Sequence, residues 1–283
     1  MKHAYLILAH NEFSLLQKLL DALDDPRNDI YVHIDKKVKM IPELHTSNAG
    51  LVFLEERIDI RWADISMVEA EYALFETASG KGPYQYYHLL SGVDLPLKNQ
   101  NYIHDFFDRH DGKEFIGFTL TTLTPELVRR TQRWHLFPKH FSQTRNKYSA
   151  PRAVFIRLQE MLGIKRNRHI GFMKGSQWVS ITEGMARYFL SQRHWVTKTF
   201  THTFAPDECV VQTLAGKSPY RVNLYNTTDD ATGCMRAIGW RGDHLIDWSA
   251  ADYPTLASSP ALFARKFNSR DDAFIERILE LSK

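Results

Sequence analysis

Tyr5-Leu6-Ile7-Leu8-Ala9-His10-Asn11-Glu12 decides how this chain folds, because five apolar residues give way abruptly to polar ones. A short, continuous apolar run with polar ends fits a strand covered on both faces. It is too short for the apolar region of a secretory leader, so a retained first strand is expected. Ser14-Leu15-Leu16-Gln17 has capping-box spacing ahead of Leu19, Leu20 and Leu23 on one helical face, and Asp24-Asp25-Pro26 ends that helix. Ile30-Tyr31-Val32-His33-Ile34-Asp35 reads as a second strand closing on a carboxylate beside Lys36 and Lys37, and Leu51 to Leu54 as a third. Ser66-Met67-Val68-Glu69 repeats the capping spacing and opens a helix to about Ala78, after which Gly80 and Gly82 break the chain before the strand Tyr86 to Leu90. Strands interleaved with helices predict an α/β fold, with a mainly parallel central sheet flanked by helices and ligands at the carboxyl ends of the strands. His10, Asp35 and Asp94 all follow strands.

The 283 residues, 43% hydrophobic and 24% charged, can bury a sizeable core and exclude disorder. No apolar run approaches the roughly 20 residues of a transmembrane helix. Two cysteines, Cys209 and Cys234, give no disulfide framework, and without an export signal a reducing cytoplasm is expected. Neither Cys-x-x-Cys nor His-Glu-x-x-His occurs, which removes a structural zinc. The net charge of +3 conceals a basic segment: eleven Lys or Arg against one acid, Glu160, between Arg129 and Arg168. Trp134, Phe137, Phe141 and Tyr148 lie within it. A nucleic-acid reading would use those aromatics, but a solvated basic face, or a patch for anionic lipid or a phosphate-bearing substrate, explains the same residues, and nucleic acid is not expected. With no linker and no repeat, residues 1–283 read as a single domain carrying a basic helical insertion at about 120–170.

Three observations bear on chemistry. No glycine fingerprint follows the first strand, so nicotinamide and ATP readings lose their main support. Pro206-Asp207-Glu208 starts a helix expected to run to about Leu214; its acids either stabilise the helix end or supply a general base, and position alone does not choose between Asp207 and Glu208. Arg236 and Arg241 flank Trp240, and Arg265-Lys266 follows Phe263-Ala264; such cations suit a departing diphosphate. No two aspartates are separated by a single residue, so the Asp-x-Asp pair that holds a divalent metal in many nucleotide-sugar enzymes is missing. Asp94 either positions a donor or caps the turn before Pro96. Trp62, Trp178 and Trp240 offer flat faces to sugar rings, or belong to the core.

Ala4 to Asn11, Tyr31 to Lys37, Leu90-Ser91-Gly92-Val93-Asp94-Leu95-Pro96-Leu97, Pro206-Asp207-Glu208 and Phe263-Ala264-Arg265-Lys266-Phe267 occur in the order found in the core-2/I-branching glycosyltransferases, which the chain resembles. That family comprises β-1,6-N-acetylglucosaminyltransferases and peptide-O-xylosyltransferases, and the stretch from about Thr119 to Ile170 is left unmatched. The resemblance implies a GT-A fold and an inverting, metal-independent transfer from a UDP-sugar to a glycan hydroxyl. It implies that Asp35 contacts the uridine, with His10 and Asp94 nearby, that Glu208 is the base, and that Arg236 and Lys266 bind the diphosphate, with Arg241 able to take the role of Arg236. Trp178, Trp62 and Gln177 are acceptor-side candidates, and no metal or other cofactor is expected. Where the xylosyltransferase branch has Gly-Ser-Asp-Trp, this chain has Gly175-Ser176-Gln177-Trp178, which leans the donor towards UDP-N-acetylglucosamine over UDP-xylose. A cytoplasmic bacterial member is implied, building cell-surface polysaccharide. Charge alone suggests that residues 129–168 face the acceptor, a lipid-linked glycan carrying phosphates, or the inner face of the membrane that presents it. The rivals are a metal-dependent nucleotide-sugar transferase and a non-catalytic binder of glycan or nucleic acid.

Overall fold

The computed structural model describes residues 1–242 and 244–283. The chain begins β1 (His3–Ala9), α1 (Phe13–Ala22), β2 (Asn28–Ile34), β3 (Gly50–Phe53), α2 (Ser66–Ser79), β4 (Tyr86–Ser91), β5 (Leu95–Pro96) and α3 (Gln100–Arg109). It continues through α4 (Pro125–Thr131), α5 (Ser149–Met161), β6 (Ser180–Thr182), α6 (Glu183–Ser191), α7 (Arg193–Phe200), α8 (Val210–Lys217) and α9 (Asp230–Cys234). Then come β7 (Arg236–Ile238), β8 (Trp240–Arg241), β9 (His244–Leu245), α10 (Tyr253–Ala257), β10 (Phe263–Arg265) and α11 (Asp272–Leu279). The central sheet has the order β3-β2-β1-β4-β6, parallel except for the edge strand β6, and a smaller sheet is ordered β5-β10-β7. This is the α/β fold, with a mainly parallel sheet, that the sequence predicts.

All seven residues of β1 are buried, six of them, Ala4 to Ala9, as an unbroken apolar run requires, and His3 with them. Successive side chains point to opposite faces: Ala4, Leu6 and Leu8 join the core under α2, α6 and α8, while Tyr5, Ile7 and Ala9 join the core under α1, α3 and α11. α1 contributes Leu15, Leu16, Leu19 and Leu20, each buried side chain adding about 1.5–3 kcal/mol. That outweighs the cap it lacks, worth about 1 kcal/mol.

Local start signals fared less well than the periodicities. The expected capping box at Ser14 does not form, because α1 opens two residues earlier, at Phe13, with Glu12 in the cap position in the left-handed region at φ 52. The Glu12 side chain instead accepts from the Ser269 N–H, 2.9 Å away. Ser66 is likewise no cap: its hydroxyl accepts from the Arg61 N–H at 2.8 Å, spending it on the preceding loop. The expected helix from Pro206 is a 3-10 turn, Pro206–Glu208, and α8 starts only at Val210. The reason is tertiary, since the Glu208 carbonyl accepts from the Gly175 N–H at 2.9 Å and is withdrawn from the helix. Within 120–170, helix is confined to α4, α5 and one 3-10 turn, with loops between them. Nor is the basic segment wholly a solvated face, since Arg133 and Arg166 are buried.

Candidate functional site

Two cavities meet along one side of the central sheet. The first, about 730 Å³, opens where β1, β2 and β4 end. Register makes it: Ala9 pairs with Ile34 and Leu8 with Ser91, so the residues following each strand emerge side by side. The Asp35 N–H donates to the Ala9 carbonyl and the Gly92 N–H to the Leu8 carbonyl, both at 2.9 Å, which extends the ladder to the cavity floor. His10 and Asp35 both line it. Asp35 is buried and accepts from the Lys37 N–H (2.8 Å) and Nζ (2.7 Å). Burial lowers the His10 pKa, the Asp35 charge opposing that shift.

Cations crowd the far wall, where Arg265, Lys266 and Arg270 line the cavity and Lys266 Nζ lies 3.2 Å from Asp247. Arg265 is held from behind. The buried Asp94 accepts from the Ser91 N–H (3.0 Å), the Ser91 hydroxyl (2.5 Å) and Arg265 Nε (3.1 Å), while the Arg265 guanidinium lies 4.2 Å from the centre of the Trp178 ring. Asp94 therefore sits behind the cavity and orients a cation, instead of lining it. A carboxylate-clamped, ring-stacked guanidinium is a preorganised fork for an anion such as a diphosphate.

The expected partner of Lys266 is elsewhere. Arg236, on β7, is fully buried, its guanidinium donating to the Cys234 and Val179 carbonyls and the Ser180 hydroxyl, and it lines neither cavity. Strand direction explains the correction: β7 pairs in parallel with β10, and Arg236 faces Phe263 two positions before Arg265, so Arg265 is the arginine that emerges at the cavity. Arg241 is exposed, 3.1 Å from Asp252, and lines neither cavity.

The second cavity, about 430 Å³, shares Trp62, Met67, Gln177, Trp178 and Arg265 with the first. Its other lining includes Arg130, Lys174, Phe204, Asp207, Glu208, Asp230 and the half-exposed Trp240. Gly175 lets the 174–178 segment reach it, since a Cβ there would lie 2.0 Å from the Gly117 carbonyl oxygen.

The two neighbouring acids differ sharply. Asp207 is buried, and desolvation, with the Glu208 charge second, pushes its carboxyl up to about 7; its Oδ1 has no partner. Glu208 keeps 37% of its side chain exposed. Its Oε2 accepts from Arg130 Nη1 at 2.5 Å, with Lys174 Nζ 3.9 Å away, and Oε1 has no hydrogen-bond partner among the described residues. A carboxylate with one oxygen anchored and the other open to a cavity can take a proton from a hydroxyl placed there. Behind them Glu71, fully buried on α2, accepts from Gln177 Nε2 at 3.1 Å; desolvation, then the Asp207 charge, pushes its carboxyl well above the usual range.

Glu208, His10, Asp35, Lys266, Trp178, Trp62 and Gln177 are thus brought around one double cavity, while Asp94 supports it and Arg236 and Arg241 stand apart. Sequence reasoning passed over Arg130, one of eleven basic residues in its segment, and Glu71, whose signal was an acid on the apolar face made by Val68, Tyr72 and Phe75.

Comparison with known proteins matches residues 3–269 to the family described as Core-2/I-Branching enzyme. In Homo sapiens, the probable beta-1,3-galactosyl-O-glycosyl-glycoprotein beta-1,6-N-acetylglucosaminyltransferase 7 is 24% identical over 311 residues, covering 98% of this chain. The chain spans 66% of that protein's length. Among solved structures, S. aureus TarS residues 1–349 aligns with a TM-score of 0.37 and 11% identity over 76% of this chain and 55% of its own. Mouse xyloside xylosyltransferase 1 in its apo form aligns with a TM-score of 0.37 and 9% identity, covering 93% of this chain and 96% of its own.

Proposed function

The chain belongs to the core-2/I-branching enzyme family, and from that premise we propose that it is a GT-A-type glycosyltransferase, moving N-acetylglucosamine from a UDP-sugar to a hydroxyl of a glycan acceptor with inversion and without a metal. The observation that supports this reading is the pair of joined cavities, one lined by Arg265, Lys266 and Arg270 and the other by the partly exposed Glu208 carboxylate. In this mechanism the nucleotide occupies the first cavity, with Asp35 and His10 at the base, and its diphosphate meets Arg265, Lys266 and Arg270. The sugar lies at the junction beside Trp178 and Gln177. Glu208 removes the acceptor proton, the acceptor oxygen bonds to the anomeric carbon from the face opposite the nucleotide, and the bond to UDP breaks. The negative charge left on UDP is taken up by the fixed guanidinium and ammonium groups, which stabilise it most as it develops. One base and one cationic cradle suffice for a single displacement.

N-acetylglucosamine is favoured because Gln177, unable to act as a base, stands where the xylosyltransferase branch has an aspartate, and because the human relative carries that sugar in its name. Cell-surface polysaccharide synthesis by a bacterial, cytoplasmic enzyme is part of the same proposal.

Calorimetric titration of UDP in EDTA, followed by added magnesium, tests it. Binding in EDTA that magnesium leaves unchanged is expected, after which UDP-N-acetylglucosamine should be hydrolysed or transferred faster than UDP-xylose. Binding only with magnesium would overturn metal independence, and no binding in either state would overturn the donor assignment.

A further inference from the structure

α5 wears part of its apolar surface outwards. It buries Ile156 and Gln159, and the Gln159 amide clamps Trp134 by accepting from its N–H (2.8 Å) and donating to its carbonyl (2.9 Å). The opposite side carries Val154, Leu158, Met161 and, just beyond the helix, Leu162, which are 68%, 48%, 80% and 64% exposed. Their spacing of i, i+4, i+7 and i+8 puts them on one ridge. Among the described residues, seven of the 15 exposed large apolar side chains fall between Trp134 and Ile164, so the ridge is a patch and not scatter. Exposed Arg157 lies on the same helix, with exposed Arg145 and Lys147 in the segment before it and Lys165 and Arg168 in the segment after it, and Glu160, the one acid from 129 to 168, is engaged 3.5 Å from Arg129.

We propose that α5 lies flat in the headgroup layer of an anionic membrane, its ridge Val154-Leu158-Met161-Leu162 inserted among the acyl chains and its basic rim on the lipid phosphates. A basic rim around an aliphatic ridge complements such a surface on both counts. A second copy of the chain fits less well, because a two-fold contact would set one basic rim against another. Nucleic acid fits less well too, since the ridge is aliphatic and offers no stacking face, and the exposed aromatics Trp134 and Phe137 already pack on the Arg166 guanidinium (4.4 Å) and on Tyr148 (5.1 Å). His140 stacks on Tyr148 with ring centres 4.2 Å apart, and Phe141 is buried beneath the Arg152 guanidinium. Phe141 also packs on Phe204 at 5.1 Å, and Phe204 lines the second cavity. Docking therefore brings that cavity close to the lipid surface, where an acceptor carried by a lipid would present its glycan; this last clause alone rests on the function proposed above.

Co-sedimentation of the full chain with vesicles at low salt tests the docking. Vesicles of phosphatidylcholine with about one third phosphatidylglycerol should bind at least about tenfold more tightly than phosphatidylcholine alone, each basic residue near the surface adding about fivefold. Leu158→Glu with Met161→Glu should weaken that binding about tenfold or more at unchanged Tm. Met161→Ser, milder and at the most exposed position, should weaken it about threefold. Failure to bind anionic vesicles, or equal binding by the Glu double variant, overturns the proposal. So does concentration-dependent self-association that the double variant abolishes, or oligonucleotide binding in place of vesicle binding. No activity is read, so loss of this inference leaves the transfer reading standing, and absence of UDP binding leaves this inference standing.

Discussion

The two cavities share Trp178 and Gln177 as a common wall, yet they are built by different means. The first is made by strand ends: β1, β2 and β4 stop in register, and His10, Asp35 and Gly92 follow from where each strand ends. The second is made by segments distant in the chain, with Trp62, Arg130, Lys174 to Trp178, Phe204 to Glu208, Asp230 and Trp240 meeting only through packing. Their electrostatics differ in the same way. The first is lined by Lys37, Arg61, Arg265, Lys266 and Arg270 against Glu12, Asp35 and Asp247; the second by Arg130, Lys174 and the shared Arg265 against Asp207, Glu208 and Asp230, with Glu71 behind them, so cations outnumber acids only in the first. Asp94 and Trp178 keep Arg265 in place by holding it from behind and from one face, while Arg130, from the basic segment, anchors one oxygen of Glu208 and leaves the other open.

Glu208→Gln probes this separation most severely. With Glu208 as the proposed base, removing its charge while keeping its shape should lower kcat by about 10³-fold, within the range for general-base catalysis, and leave UDP affinity within about twofold. Equal losses in turnover and UDP affinity would mean that the two cavities do not divide the work.

Asp207→Asn should separate the two neighbouring acids. The folded carboxyl titrates at about 7 and the unfolded one near 3.8, so between those values the folded state holds a proton that the unfolded state has released. Stability from this group is complete below pH 3.8 and is lost as pH rises through 7, a difference of about 4 kcal/mol at most. Urea unfolding at pH 5.5 and pH 8 should therefore show a smaller alkaline loss in the variant than in the parent. An unchanged slope would mean that Asp207 is ionised throughout. His104 and His135 work in the opposite sense, since burial lowers both to about 4, and their effect removes stability as pH falls from 6.5 towards 4.

Arg265→Ala should weaken UDP by about 30-fold and Lys266→Ala by about tenfold, because a fixed guanidinium fork holds a diphosphate better than an ammonium already 3.2 Å from Asp247. Calorimetry on both variants ranks them. The reverse order would return the leading role to Lys266, and unchanged affinity in both would remove the diphosphate from this wall.

How far each region was readable follows from the same contrast. Tyr5 to Ala9, Ile30 to Ile34 and Tyr86 to Leu90 announce themselves because a strand buried on both faces needs an unbroken apolar run, and polar residues just after such runs mark a ligand edge. The position of His10 and Asp35 at the first cavity was readable that way. The motif placed both Asp207 and Glu208 at the second cavity, but which of them stays exposed was decided by burial, which neighbouring residues in a sequence do not reveal. Arg236 misled because loose spacing around Trp240 cannot say which of two arginines on paired strands emerges at the cavity. Arg130 was hidden among ten other basic residues, its distinction being a carboxylate 78 positions away.

Composition, apolar periodicity and motif order by themselves determined the α/β class, the order of the elements from β1 to β4, and the edge of the sheet where the first cavity opens, because those properties depend on each residue and its near neighbours. Folding alone decided that Asp207 is buried while Glu208 stays open, that Arg265 and not Arg236 reaches the cavity, and that α5 keeps an apolar ridge outside. Those outcomes depend on desolvation and on contacts between segments far apart in the chain, and both come into being only when the core closes.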